Sequence, residues 1–170
     1  MSKNIFIVSL LAFMLGFSCQ VKVEEKGKDP VETIITRFDR PDASILKGVY
    51  IPAGKEYFYT SGLVADVVDV DAEPGTYKRY GDTYQQSKST LEKIKATLAE
   101  ADFTMEDVFF LRVYLAPDQE GNIDWQAWFK AYGEYFNNDA NPNKVARSTI
   151  AVFALANPDL LIEIEAVAAR

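Results

Sequence analysis

Three side chains near the end of this chain could do chemistry together: Arg147, Glu163 and Glu165. Arg147 stands between Ala146 and Ser148, so a planar guanidinium able to grip a carboxylate at two points sits among small neighbours. Farther on, Ile162, Ile164 and Ala166 alternate with Glu163, Glu165 and Val167. That period of two predicts a half-buried strand with both carboxylates on its other face. Each like charge raises the cost of the other, so the acidic face needs a donor, a cation or open water. Two readings are open on spacing alone. Arg147 and a glutamate of the next strand form a structural ion pair, or the arginine is kept for the carboxylate of a ligand.

Composition narrows the chemistry. The 170 residues include no His, which removes Ser-His-Asp and Cys-His nucleophile systems, His-ligated metals and a His general base. Carboxylates, Arg, Tyr, hydroxyls and backbone groups remain, and no metal or cofactor is expected. A net charge of −7 argues against a nucleic-acid partner. Asp66, Asp69, Asp71 and Glu73 flank Pro74-Gly75 but lack the ligand order of a calcium loop, and are read as solvated.

The first residues read as an address. Lys3 precedes an apolar run, residues 5–17, that is too short to span a bilayer comfortably. It ends at Gly16-Phe17-Ser18-Cys19, where the single Cys of the chain stands at a bacterial lipoprotein cleavage position. Residues 1–18 are therefore expected to be a lipoprotein-type signal peptide, with Cys19 lipidated and residues 19–32 a solvated tether. The expected location is the cell envelope, periplasm or outer membrane, with membrane contact only through the N-terminal lipid. A folded domain is expected over residues 33–170.

The elements that must position Arg147 and Glu163 are readable within that domain. Residues 34–38 predict an edge strand, 48–54 and 56–62 two further strands around an Ala53-Gly54-Lys55 turn, and 63–80 a loop. Asp82 predicts the cap of a helix over 83–101, whose Leu91, Ile94 and Leu98 recur at spacings of three and four. Val108 to Leu115, rich in β-branched and aromatic residues, is the strongest strand and Pro117 stops it. Asp124 caps a second helix over 125–136, whose aromatic face of Trp125, Trp128, Phe129, Tyr132, Tyr135 and Phe136 is read chiefly as core. Residues 137–143 form a loop into the Arg147 strand, and Asn157-Pro158-Asp159 turns it toward the Glu163 strand.

Ala146-Arg147-Ser148, a following proline, and Ile162-Glu-Ile-Glu-Ala-Val-Ala168 resemble the C-terminal signature of the Rid (YjgF-like) family of reactive-intermediate imine deaminases. With Thr60-Ser61-Gly62 at a strand end and the helix–strand–helix middle, the resemblance covers roughly residues 45–168. It implies an α+β, chorismate-mutase-like fold: a mixed β-sheet with two helices on one face, assembled as a homotrimer with ligand clefts between subunits. It further implies that Arg147 binds the carboxylate of a small 2-imino acid and that Glu163 orients the attacking water, releasing ammonia and a 2-oxo acid. Tyr50, Ser61, Gly62, Phe129, Ser148 and Thr149 fall at substrate-binding positions. The chain departs from the family pattern where Gly-Pro-Tyr-Ser-Gln is replaced by Gly48-Val-Tyr-Ile-Pro52, where Phe129 stands for an Asn, and where Thr149 stands for a frequent Cys. A trimeric binding module for a small carboxylate, without turnover, is the alternative; endoribonuclease activity, attached to some relatives, fits an acidic chain poorly.

Overall fold

The computed structural model describes residues 34–170. The expected signal peptide, Cys19 and the tether lie outside the described residues. Among the described residues no helix is long and apolar enough to cross a membrane.

Among the described residues seven strands and two α-helices follow in the order ββββ-α-β-α-ββ: β1 (Thr36–Phe38), β2 (Gly48–Tyr50), β3 (Tyr57–Tyr59), β4 (Leu63–Val64), α1 (Thr83–Ala99), β5 (Val108–Leu115), α2 (Trp125–Tyr135), β6 (Ala146–Ala151) and β7 (Ile162–Ala169). The main sheet runs β3-β7-β5-β6, and β4 also pairs with β7. β5 is parallel to β6 and antiparallel to β7, so the sheet is mixed. Leu91, Ile94 and Leu98 of α1 and Trp128, Tyr132 and Phe136 share one core with Leu111, Val113, Leu115, Ile162, Ile164 and Ala166. Both helices thus cover the same face of the sheet. The opposite face carries Arg112 and Tyr114 of β5 and Glu163, Glu165 and Val167 of β7, all of them at least partly exposed.

Two strand expectations are corrected. The second strand closes at Tyr50 rather than reaching residue 54, because Pro52 has no N–H to give a ladder and Gly54 turns the chain at φ 84°. The expected loop does not start at Leu63: Leu63 and Val64 pair with Ile164 and Glu163. β3 and β4 lie along the same edge of β7 and form one interrupted line. At the interruption the Ala166 N–H donates to the Thr60 hydroxyl at 2.9 Å, while the Thr60 N–H donates to the Ala166 carbonyl at 3.0 Å. A two-residue strand held only by tertiary pairing leaves no period of its own.

α1 begins with a reciprocal cap, in which the Asp82 carboxylate accepts from the Gln85 N–H and the Gln85 side chain accepts from the Asp82 N–H. One turn on, the fully buried Gln86 amide donates to the Gly81 and Asp159 carbonyls at 2.9 and 3.0 Å and accepts from the Leu161 N–H at 2.8 Å. This side chain sets where β7 begins, and hence where Glu163 stands. Gln86→Met keeps the volume and strips all three bonds. It is expected to cost roughly 2 to 4 kcal/mol, since two carbonyls and one N–H are left without partners in the interior. Urea unfolding of the variant beside the wild type measures the loss.

Candidate active site

The sheet puts the two predicted catalytic groups on opposite faces. β6 lies beside β5 with Arg147 next to Leu111, a core residue, so the guanidinium points to the helix side. Glu163 pairs with Tyr114 and Val64 and points away from the helices. Alternation in neighbouring strands fixes this separation. An ion pair between Arg147 and Glu163 within one chain is therefore excluded.

Arg147 is instead packed on aromatic rings. Its guanidinium carbon lies 4.3 Å from the centre of Tyr132, 5.2 Å from Phe129 and 5.4 Å from Trp128. Residues 128, 129 and 132 share one face of α2 because three- and four-residue spacings recur on a helix. Tyr132 is itself pinned, donating to the Ser44 carbonyl at 2.9 Å and accepting from the Val145 N–H at 3.5 Å. No carboxylate pairs with Arg147 among the described residues, and its Nη1, the Thr149 hydroxyl and the Trp128 indole N–H are buried without hydrogen-bond partners. Burial pulls the guanidinium's pKa below its ordinary value, and burial likewise raises that of the Tyr132 phenol. A desolvated cation with unused donors is an anion-binding arrangement.

The acidic face finds its cation on β5. Arg112 pairs with Glu165, and the Tyr114 hydroxyl donates to the same carboxylate at 3.2 Å. The charge of Glu165 raises the pKa of Arg112. Arg147 was the expected cation, and Arg112 replaces it because cross-strand register places it directly beside Glu165. The signal was present as the one charge inside the apolar β5 run, on the same parity as Tyr114. Glu163, by contrast, has neither a hydrogen-bond nor an ion-pair partner among the described residues, and stays available.

Its position depends on Gly62. A Cβ on Gly62 would lie 1.8 Å from the Glu163 Oε1 and 2.7 Å from its Cδ. The backbone at Gly62 is not in the left-handed region, so it is space and not conformation that requires glycine here. Ser61 is exposed just before it, at the break between β3 and β4.

Of the remaining predicted residues, Thr149 shares the helix-side face with Arg147, two positions along β6, and Phe129 packs on the guanidinium. Ser148 falls on the opposite face, level with Arg112. Tyr50 is exposed on the separate β1–β2 hairpin, paired with Thr36, and no described contact ties it to either charged group. One chain thus gathers Arg147, Thr149 and Phe129 into one half-site and Ser61, Gly62 and Glu163 into another. Among the described residues no cluster of His, Cys, Asp and Glu could hold a metal ion.

Residues 49–170 match the family model described as Endoribonuclease L-PSP. A RutC family protein of Pyrococcus abyssi is 37% identical over 106 residues, which span 62% of this chain and 76% of the relative. The 3-aminoacrylate deaminase RutC of Acinetobacter baylyi is 33% identical over 126 residues, 70% of this chain and 85% of that protein. The crystal structure of YyfB from Yersinia pestis, of the conserved Rid protein family, superposes with a TM-score of 0.56 at 30% identity, covering 75% of this chain and 87% of that one. The chain belongs to the Rid (YjgF-like) family, and its mixed sheet with two helices is the family fold. At the family level this membership supports an imine or enamine deaminase.

Gly62→Ala tests how Glu163 is placed. The added methyl is expected to push the carboxylate away by roughly 1.5 Å to reach ordinary contact. Because the displaced group is the free end of a side chain, the melting temperature should move little. A crystal structure of the variant beside its melting curve reads both effects.

Proposed function

We propose that this protein hydrolyses small imines or enamines, 2-imino acids above all, in clefts completed between copies of the chain in a homotrimer. The observation that carries the reading is Arg147, a half-buried guanidinium whose Nη1 is buried without a hydrogen-bond partner and which has no carboxylate partner among the described residues. The carboxylate of a 2-imino acid supplies the missing acceptor, in two-point fashion. Glu163 from a neighbouring copy, on the face opposite to Arg147 in its own chain, orients a water against the imine carbon. The water oxygen bonds to that carbon and the C=N π pair moves to nitrogen. One water proton follows it to give the carbinolamine, whose hydroxyl proton passes to nitrogen as the C–O π bond forms and the C–N bond breaks, releasing ammonia and the 2-oxo acid. An enamine first takes a proton at carbon and gives up one from nitrogen to become the imine. An iminium carbon is already electrophilic, so holding the acid and placing the water supply most of what the step needs.

Relatives support the class of reaction: one is a 3-aminoacrylate deaminase at 33% identity. Ribonuclease activity, named in the family model's description, draws no support from a chain with net charge −7 and no His. Export as a lipoprotein through Cys19 is part of the proposal and rests on the N-terminal sequence; a mature N-terminus other than Cys19 by mass spectrometry overturns it.

Freshly generated 2-aminoacrylate should yield pyruvate faster with the protein than without it. Arg147→Lys keeps the charge but loses the planar fork, and should lower kcat/KM by a factor on the order of thirty to a hundred. Glu163→Gln should reduce kcat more than it raises KM. Binding of small carboxylic acids without turnover would make the site a binding module instead.

The two variants also test the shared cleft. Mixed in equal amounts, unfolded and refolded together, they should regain about a quarter of wild-type activity if each site takes Arg147 from one copy and Glu163 from the next. No regain, or a monomer by light scattering, rejects the shared cleft.

A further inference from the structure

We propose, resting on the reading above, that the site prefers 2-imino acids with a large apolar side chain, and that Phe129 is the residue that selects them. The aromatic face of α2 is divided. Trp128, Tyr132 and Phe136 are 0%, 1% and 0% exposed, whereas Phe129 is 39% exposed although it packs on the same guanidinium as two of them. Buried rings of this face belong to the core. Phe129 adds little there, and leaves a large part of its surface in water beside a charge that waits for a ligand.

Its place relative to Arg147 decides what it can touch. A carboxylate gripped by Arg147 brings the acid's α-carbon, and whatever that carbon carries, to the ring lying 5.2 Å from the guanidinium. The helix-side positions that follow on β6 are Thr149 and Ala151, both small, with Ala151 exposed. A side chain leaving the α-carbon toward β6 therefore meets only small residues there, with an aromatic surface beside the guanidinium. A methylene as small as that of 2-aminoacrylate leaves the Phe129 ring wet. A branched aliphatic or aromatic side chain covers it, and apolar burial favours that pairing.

Apolar contact of this kind is made alike in the bound substrate and in the transition state, so it appears in KM more than in kcat. Discrimination by such a wall is worth about tenfold, the scale on which apolar pockets separate substrates differing by a few methylenes.

The test uses two pairs of probes on the full-length protein. The imines of phenylalanine and leucine, made in place by an amino-acid oxidase with catalase, are compared with 2-aminoacrylate for turnover. The stable oxo acids phenylpyruvate and pyruvate are compared for binding by calorimetry, which reads the preference even if no imine is turned over. The wild type should favour the bulky member of each pair by about tenfold. Phe129→Ala should erase most of that ratio, chiefly through KM, and Phe129→Leu should keep much of it. Equal or better use of the small members by the wild type overturns the inference, as does a Phe129→Ala variant that loses both members equally, for then the ring serves only to hold Arg147. Absence of turnover with every imine, beside an intact binding preference, rejects the deaminase reading while leaving this one standing.

Discussion

A half-buried guanidinium without a counter-charge among the described residues governs the architecture around this site. Arg147 is held by the faces of Tyr132, Phe129 and Trp128, each contact worth on the order of 0.5 to 2 kcal/mol, depending on how far the charge is desolvated. Rings offset part of the cost of burying the charge but offer no oxygen acceptors to its N–H groups. The helix α2, its anchor at the Tyr132 hydroxyl and the parallel pairing of β6 with β5 all converge on keeping this cation oriented. Nearby acids are kept from it by the sheet itself. Glu163 and Glu165 sit across the strand alternation, and Glu165 is already engaged by Arg112 and Tyr114. Had β7 slipped by one residue, both glutamates would face the helices and their hydrophobic neighbours would face solvent.

Much of this was legible in the sequence, and for stated reasons. The β5 strand was recoverable from its unbroken run of β-branched and aromatic residues, and both helices from a capping Asp followed by three- and four-residue spacing. The outward direction of Glu163 and Glu165 followed from a period of two. What escaped were facts that depend on neighbours far along the chain. β4 has two residues and exists because β7 offers it an edge. Spacing alone leaves open an ion pair between Arg147 and a glutamate of the next strand. Register with β5, which sequence spacing does not encode, gives that part to Arg112 instead. Ser148, which the resemblance places at a substrate-binding position, faces away from Arg147 because adjacent residues of a strand face opposite ways.

The aromatic face of α2 illustrates a subtler limit. Periodicity identifies the stripe as core-facing, and three of its rings are fully or almost fully buried. It does not say which ring stands at the margin, beside the edge strand β6. That margin is where Phe129 meets Arg147. The sequence alone names the residue through its departure from the family pattern, and the structure supplies the contact that gives the departure a physical meaning.

The separation of the two half-sites bears on how such a protein can work at all. A charge pair within hydrogen-bond reach in one chain would be satisfied before any ligand arrived, and a ligand would have to displace it at a cost of several kcal/mol. Placing Arg147 and Glu163 on opposite faces prevents that competition by geometry. On the proposed reading, another copy presents its Glu163 to the Arg147 side, so that assembly and the completion of the site would be one event. Gly62 fits the same logic from the other half: the lack of a side chain there lets the Glu163 carboxylate lie close against the interrupted β3–β4 line. The Glu163 carboxylate is thus placed by an absent methyl, and the Arg147 guanidinium by three rings.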